Sequence, residues 1–102
     1  MMLKVYQVDN KNQFDIVGEG FEVFQSYDAI IAVARNGEAL KVSRYWDYSK
    51  TTLKHFYIWL SQYVAVRIKD FSLIWEALHS NNKRKAIQHL IDKNIIVFDT
   101  SL

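Results

Sequence analysis

Residues 26–60 constrain the fold more than any other stretch, because each joint in them carries its own chemical marker. Residues 29–34 are short, apolar and rich in Ile and Val, which suits a buried strand. Asn36-Gly37 follows at once. Both central positions of a type I′ turn need positive φ, which Asn and Gly tolerate best, so the pair predicts a tight hairpin. Residues 38–44 then return as a strand, with Leu40 and Val42 on one face and Lys41 and Ser43 on the other. Tyr45-Trp46-Asp47-Tyr48 turns the corner, and the Ser49 hydroxyl is placed to cap a helix. Beyond it Leu53, Phe56, Tyr57, Leu60, Tyr63 and Val64 recur at helical spacing, with Ile58 and Trp59 widening the stripe.

The flanks extend this pattern. Residues 2–8 and 13–17 alternate as strands around the turn cluster Asp9-Asn10-Lys11-Asn12. Gly18-Glu19-Gly20 breaks the chain before another strand at residues 21–24, and Tyr27-Asp28 reads as an interruption or a bulge. The long helix should fade near residues 66–69. Asp70 or Ser72 then caps a second helix lined by Phe71, Ile74, Trp75 and Leu78. Ser80-Asn81-Asn82 leads into a third, lined by Ala86, Ile87, Leu90 and Ile91, and residues 95–98 read as a closing strand.

Strands first and helices after argue an α+β fold: an antiparallel sheet of four to five strands with helices packed on one face. At 102 residues the chain forms one domain, 1–102, with a β-rich part at 1–45 and a helical part at 49–93. Half the residues are apolar and 15% are aromatic, enough to build a core without cross-links. Cysteine is absent, which excludes disulfides and thiolate metal sites, and proline is absent too. No apolar run reaches bilayer length, and the start of the chain turns polar too soon for a signal peptide. The expectation is a cytoplasmic protein with no membrane association.

No pattern of catalysis survives inspection. His55, His79 and His89 share no metal-binding spacing, so neither a metal nor another cofactor is expected. There is no Gly-x-Ser-x-Gly elbow, and Gly18-Glu19-Gly20 lacks the rest of a phosphate loop. A nuclease-like cluster of Asp28, Glu38, Lys41 and Asp47 fails because Glu38 and Lys41 fall on opposite faces of one strand. The reading is therefore no enzyme and no catalytic residue.

The charge is uneven. Net charge is +2, yet residues 1–38 hold three cations against six acids while residues 39–102 hold ten against five. Two uses of the surface follow. Arg44, Trp46, Tyr48, Trp59 and Tyr63 are of the types that dominate protein–protein contacts, and they serve here as candidate partner-binding residues. The alternative is nucleic-acid binding through Arg44, Lys50, Lys54, Lys83, Arg84 and Lys85, with aromatic rings for base stacking. A homodimer is a third use of the same aromatic surface.

The central third of the chain resembles a family of small proteins from phages, plasmids and other mobile elements of Firmicutes. The resemblance rests on Ser26-Tyr27-Asp28, Ile30-Ile31-Ala32-Val33, Gly37 and Trp46-Asp47-Tyr48-Ser49-Lys50-Thr51-Thr52. That pattern carries no known chemistry. It implies a phage or mobile-element protein that binds and inhibits a host protein, with a CRISPR effector nuclease as the implied target, in the manner of anti-CRISPR proteins.

Overall fold

The computed structural model describes residues 3–9 and 12–102. Strands β1 (Lys4–Gln7), β2 (Gln13–Gly18), β3 (Phe21–Ser26) and β4 (Ala29–Arg35) form an antiparallel meander. Two short strands, β5 (Lys41–Val42) and β6 (Val97–Phe98), complete one six-stranded sheet in the order β1-β2-β3-β4-β5-β6. Between β5 and β6 run helix α1 (Lys50–Ile58), a π-helical turn (Trp59–Tyr63), α2 (Phe71–Leu78) and α3 (Lys83–Asp92).

The fold is α+β, but the sheet is mixed. β6 lies parallel to β5, with Lys41 opposite Val97 and Val42 opposite Phe98. A parallel pair needs a long crossover, and the whole helical part supplies it. The all-antiparallel expectation fails at this one joint, where three helices form a single connection. Residue 2 of the first expected strand, and Asn10 and Lys11 of the expected turn, lie outside the described residues.

Asn36-Gly37 does not make the expected two-residue hairpin. Gly37 has φ 76° while Asn36 keeps negative φ, and five residues separate β4 from β5. The loop instead holds the segment that follows the π-turn. Asn36 Oδ1 accepts from the Arg67 N–H at 3.0 Å, the Gly37 N–H donates to the Arg67 carbonyl at 2.8 Å, and the Lys69 N–H donates to the Glu38 carbonyl at 2.9 Å. The tight hairpin is Tyr27-Asp28, with Tyr27 in the left-handed region at φ 54°. The only bulge-like shift between β3 and β4 falls at Phe24/Gln25.

Helix ends follow local chemistry where a side chain is free to do so. Ser49 caps α1 by accepting the Thr52 N–H at 3.1 Å, and Asn82 caps α3 by accepting the Lys85 N–H at 3.1 Å. Asp70 stands before α2 in a left-handed conformation, and its side chain makes no cap bond. The single long helix expected through Val64 changes type at Trp59, where the Val64 N–H reaches back five residues to the Trp59 carbonyl. Such π-turns are rare and mark places where side chains need a different spacing.

All three helices lie on one face of the sheet. Their buried side chains join Val8, Phe24, Ala32, Ala34, Leu40, Val42 and Ile96 in a single cluster. Phe24 stacks on Phe56 and Trp59 with centroids 6.3 and 5.7 Å apart. No helix among the described residues is long and apolar enough to cross a membrane.

Candidate interaction surfaces

The meander buries several polar side chains among apolar ones on its inner face and leaves mostly apolar, half-covered side chains on its outer face. In β2 and β3 the side chains facing the helices include Gln13, Asp15, Glu22 and Ser26, all buried. The alternate residues Phe14, Ile16, Phe21 and Val23 point to the opposite face and none of them joins the core cluster. Strand register sets Val5, Ile16, Val23, Val33, Lys41 and Val97 side by side in one row across all six strands. Val5 remains 60% exposed, and Ile16 and Val23 are half-buried by their own neighbours. The Phe21 ring lies against Gly18, where any Cβ would clash at 2.2 Å, with the Arg35 guanidinium 5.7 Å above its centroid.

Two buried acids sit behind this face. Asp15 and Glu22 occupy diagonal positions on β2 and β3 and are 2% and 1% exposed. Asp15 Oδ1 accepts the Trp59 indole N–H at 2.7 Å. Glu22 Oε1 accepts the N–H groups of Ala65 and Val66, just past the π-turn, at 2.5 and 3.1 Å. The π-turn thus brings Trp59 and the segment that leaves it onto one acid pair. Burial pushes the Asp15 carboxyl up to about 7; the Trp59 N–H opposes this, and hydrogen bonding and charge from Glu22 add to it.

That shift makes stability depend on pH. Unfolded, Asp15 releases its proton near the ordinary value of 3.8, whereas the folded chain holds it until about 7. Between those values the folded state binds more protons, so stability falls as pH rises through the window and levels off above it. The loss has a ceiling of about 4 kcal/mol at ~1.4 kcal/mol per unit. Asp15→Asn keeps an oxygen for Trp59 and removes the charge. Urea unfolding from acid to mildly alkaline pH should show the decline in the wild type, a much flatter profile for Asp15→Asn, and a more stable variant at the alkaline end.

The residues singled out from sequence divide between core and surface. Trp59 is fully buried and Trp46 is 3% exposed, packed edge-on against Phe56 at 6.5 Å. Both belong to the core cluster, Trp46 from the corner before α1 and Trp59 from the π-turn after it, so their rings are spent on the inside of the fold. Tyr63 is half-buried beside the acid pair and shares no surface with Trp59. Tyr48 is 78% exposed and meets Tyr45 edge-to-face, and Arg44 stacks over Tyr45 at 4.9 Å.

The basic residues come partly together. Lys50, Lys54, Lys83 and Arg84 line one groove between α1 and α3, floored by Leu53, Tyr57 and Ile58, with a volume of about 590 Å³. Arg84 is tied to Asp47 at 2.8 Å. Burial pushes the Tyr57 hydroxyl up to about 12, with Arg84 lowering it and Asp47 raising it. Lys85 faces the separate groove between α2 and α3, and Arg44 belongs to the Tyr45 corner. Among the described residues no group of three or more His, Asp or Glu is placed to hold a metal.

A family model matches residues 1–73, which takes in β1 to β5, α1, the π-turn and the start of α2. The chain belongs to DUF8033, a family of unknown function. No curated protein and no solved structure matches it. Within the part matched to DUF8033 lie the acid pair and, Val97 apart, the whole apolar row; the basic groove straddles its end. Sequence reasoning missed both the row and the acid pair. The alternation of residues 13–17 and 21–24 was visible, but not which side of it faced the helices.

Proposed function

We propose that this DUF8033 chain is a non-catalytic interaction module that docks the open apolar face of its sheet on another protein. The observation that carries this is the row Val5–Ile16–Val23–Val33, apolar and turned away from the core cluster, exposed at Val5, half-buried at Ile16 and Val23 and closing on a buried Val33. Contiguous apolar surface rimmed by polar residues is a common place for contacts between chains. Arg35 flanks the four valine and isoleucine positions and Lys41 follows them in the row, so a partner with an apolar centre and acidic edge complements the face, whereas a second copy would repeat both cations. The resemblance to phage and mobile-element proteins makes a host protein the partner of choice, and a CRISPR effector nuclease the first target to try. Inhibition would follow from occupying that protein's surface in the bacterial cytoplasm.

The test mixes the purified chain with purified effector nucleases and follows co-elution and nuclease activity. A complex that forms with wild type but not with a variant charged on the row supports the reading. Light scattering of the chain alone decides the self-association case: a dimer broken by the same row variant would replace the hetero-partner by a second copy and overturn the proposal.

The groove of Lys50, Lys54, Lys83 and Arg84 supports a second reading, nucleic-acid binding along an apolar-floored basic track. It expects oligonucleotide affinity to fall with salt at a log–log slope of about 0.7 per phosphate neutralised on single strands. The docking reading expects no such binding, and expects Lys50→Glu, Lys54→Glu and Lys83→Glu together to leave complex formation intact. Fluorescence anisotropy across a salt series separates the two.

A further inference from the structure

We infer that the cleft floored by Asp15 and Glu22 is a receptor site for an organic cation, the alkylammonium or guanidinium group of a side chain or free amine. The site is independent of the sheet face, since it opens on the opposite side of β1–β3. Its volume is about 320 Å³, and Tyr6, Val17 and Tyr63 line it above the two carboxyl groups. Glu22 Oε2 is buried with no N–H partner, although Oε1 of the same group takes two amides. The donor beside it is the protonated Asp15 carboxyl, and once that proton leaves, a buried carboxylate oxygen left unpaired costs stability.

Nothing described in the chain supplies that donor as a charge. The close base–acid contacts among the described residues are Arg84 with Asp47 and the His55 ring with Asp9, both elsewhere. Lys4 lies on the same side of β1 as Tyr6 but is exposed. Two carboxyl groups, each already holding N–H donors, are too few for a metal ion, which wants more oxygen ligands. An ammonium or guanidinium head instead brings several N–H donors on a stem that packs along Val17. The Tyr6 and Tyr63 rings at the rim add cation–π attraction.

The competitor is a proton. With no cation bound, Asp15 keeps its hydrogen and shares it toward Glu22. A cation entering the cleft releases that proton, so its affinity must rise with pH. The titratable groups facing Asp15 are Tyr6 from β1, Glu22 from β3 and Tyr63 from the π-turn, with Lys4 at the exposed margin.

The experiment follows the Trp59 indole N–H by ¹⁵N NMR, assigned with Trp59→Phe. The probes are n-butylammonium and methylguanidinium, with n-butanol and N-methylurea as neutral matches and a short lysine peptide as a second cation source. Saturable shifts with the cations alone are expected, about tenfold weaker one unit below the Asp15 titration than one unit above it. Asp15→Asn and Glu22→Gln should each abolish them, and Asp15→Asn keeps the test decisive if Glu22→Gln fails to fold. A peptide that binds tighter than n-butylammonium identifies a partner's side chain as the source; equal affinity identifies a free amine. Equal response to the neutral matches, no saturable shift, or shifts surviving in Asp15→Asn would overturn the site.

Discussion

Trp59→Ala is expected to leave little folded protein at 25 °C. The ring is fully buried against Phe24 and Phe56, so its removal opens a cavity that costs about 3–5 kcal/mol. The indole N–H is also the donor to Asp15, and an orphaned buried acceptor adds roughly 1–3 kcal/mol. A domain's whole stability is about 5–15 kcal/mol, so the two losses together reach its lower range. Trp59→Phe isolates the second effect. It keeps most of the stacking and deletes the N–H, which is the interaction that favours the ionised Asp15. Its destabilisation should therefore be larger above the Asp15 titration than below it. Urea unfolding followed by circular dichroism at two pH values measures this, and a pH-independent cost would show that the indole bond does not hold the acid.

Val23→Asp should abolish partner binding while leaving the fold standing. Val23 sits mid-row on the uncovered face, opposite Ile16 on one side and Val33 on the other. A carboxylate there would be desolvated in any apolar contact, and central contact residues are worth about 2–4 kcal/mol, a loss of thirtyfold or more. In the free chain Val23 is half-buried, so the carboxylate still reaches water and the folding cost is about 1–3 kcal/mol, below a domain's whole stability. Calorimetry of the complex and a thermal melt of the free variant check both halves. Binding that survives Val23→Asp but is lost in Arg44→Ala or Tyr48→Ala would move the interface to the tyrosine corner.

Much of the local structure was legible because its causes are local. Ser49 and Asn82 cap helices through their own side chains, and four of the strands announce themselves by alternation and β-branching. Asn36-Gly37 shows where that logic stops. Its turn potential is real, but three hydrogen bonds to residues 67 and 69 draw it into a longer loop, and Tyr27-Asp28 takes the tight hairpin instead. The aromatic candidates divided for the same reason: Trp46 and Trp59 have the residue type of contact sites, but burial is a property of the assembled layers.

Sequence alone determined the class of the fold, the order of its elements, the absence of cysteine chemistry and the apolar stripe of the first helix, since each depends on spacing within a few residues. Only the tertiary structure decided that β6 joins β5 in parallel, and that the helices cover the face of the meander that carries Asp15 and Glu22 beside Phe24. A strand's alternation defines two faces without ranking them. Which face is buried depends on where the helices land, and here the Trp59 indole and the Ala65 and Val66 amides satisfy Asp15 and Glu22 inside while the row through Val23 is left for something else to cover.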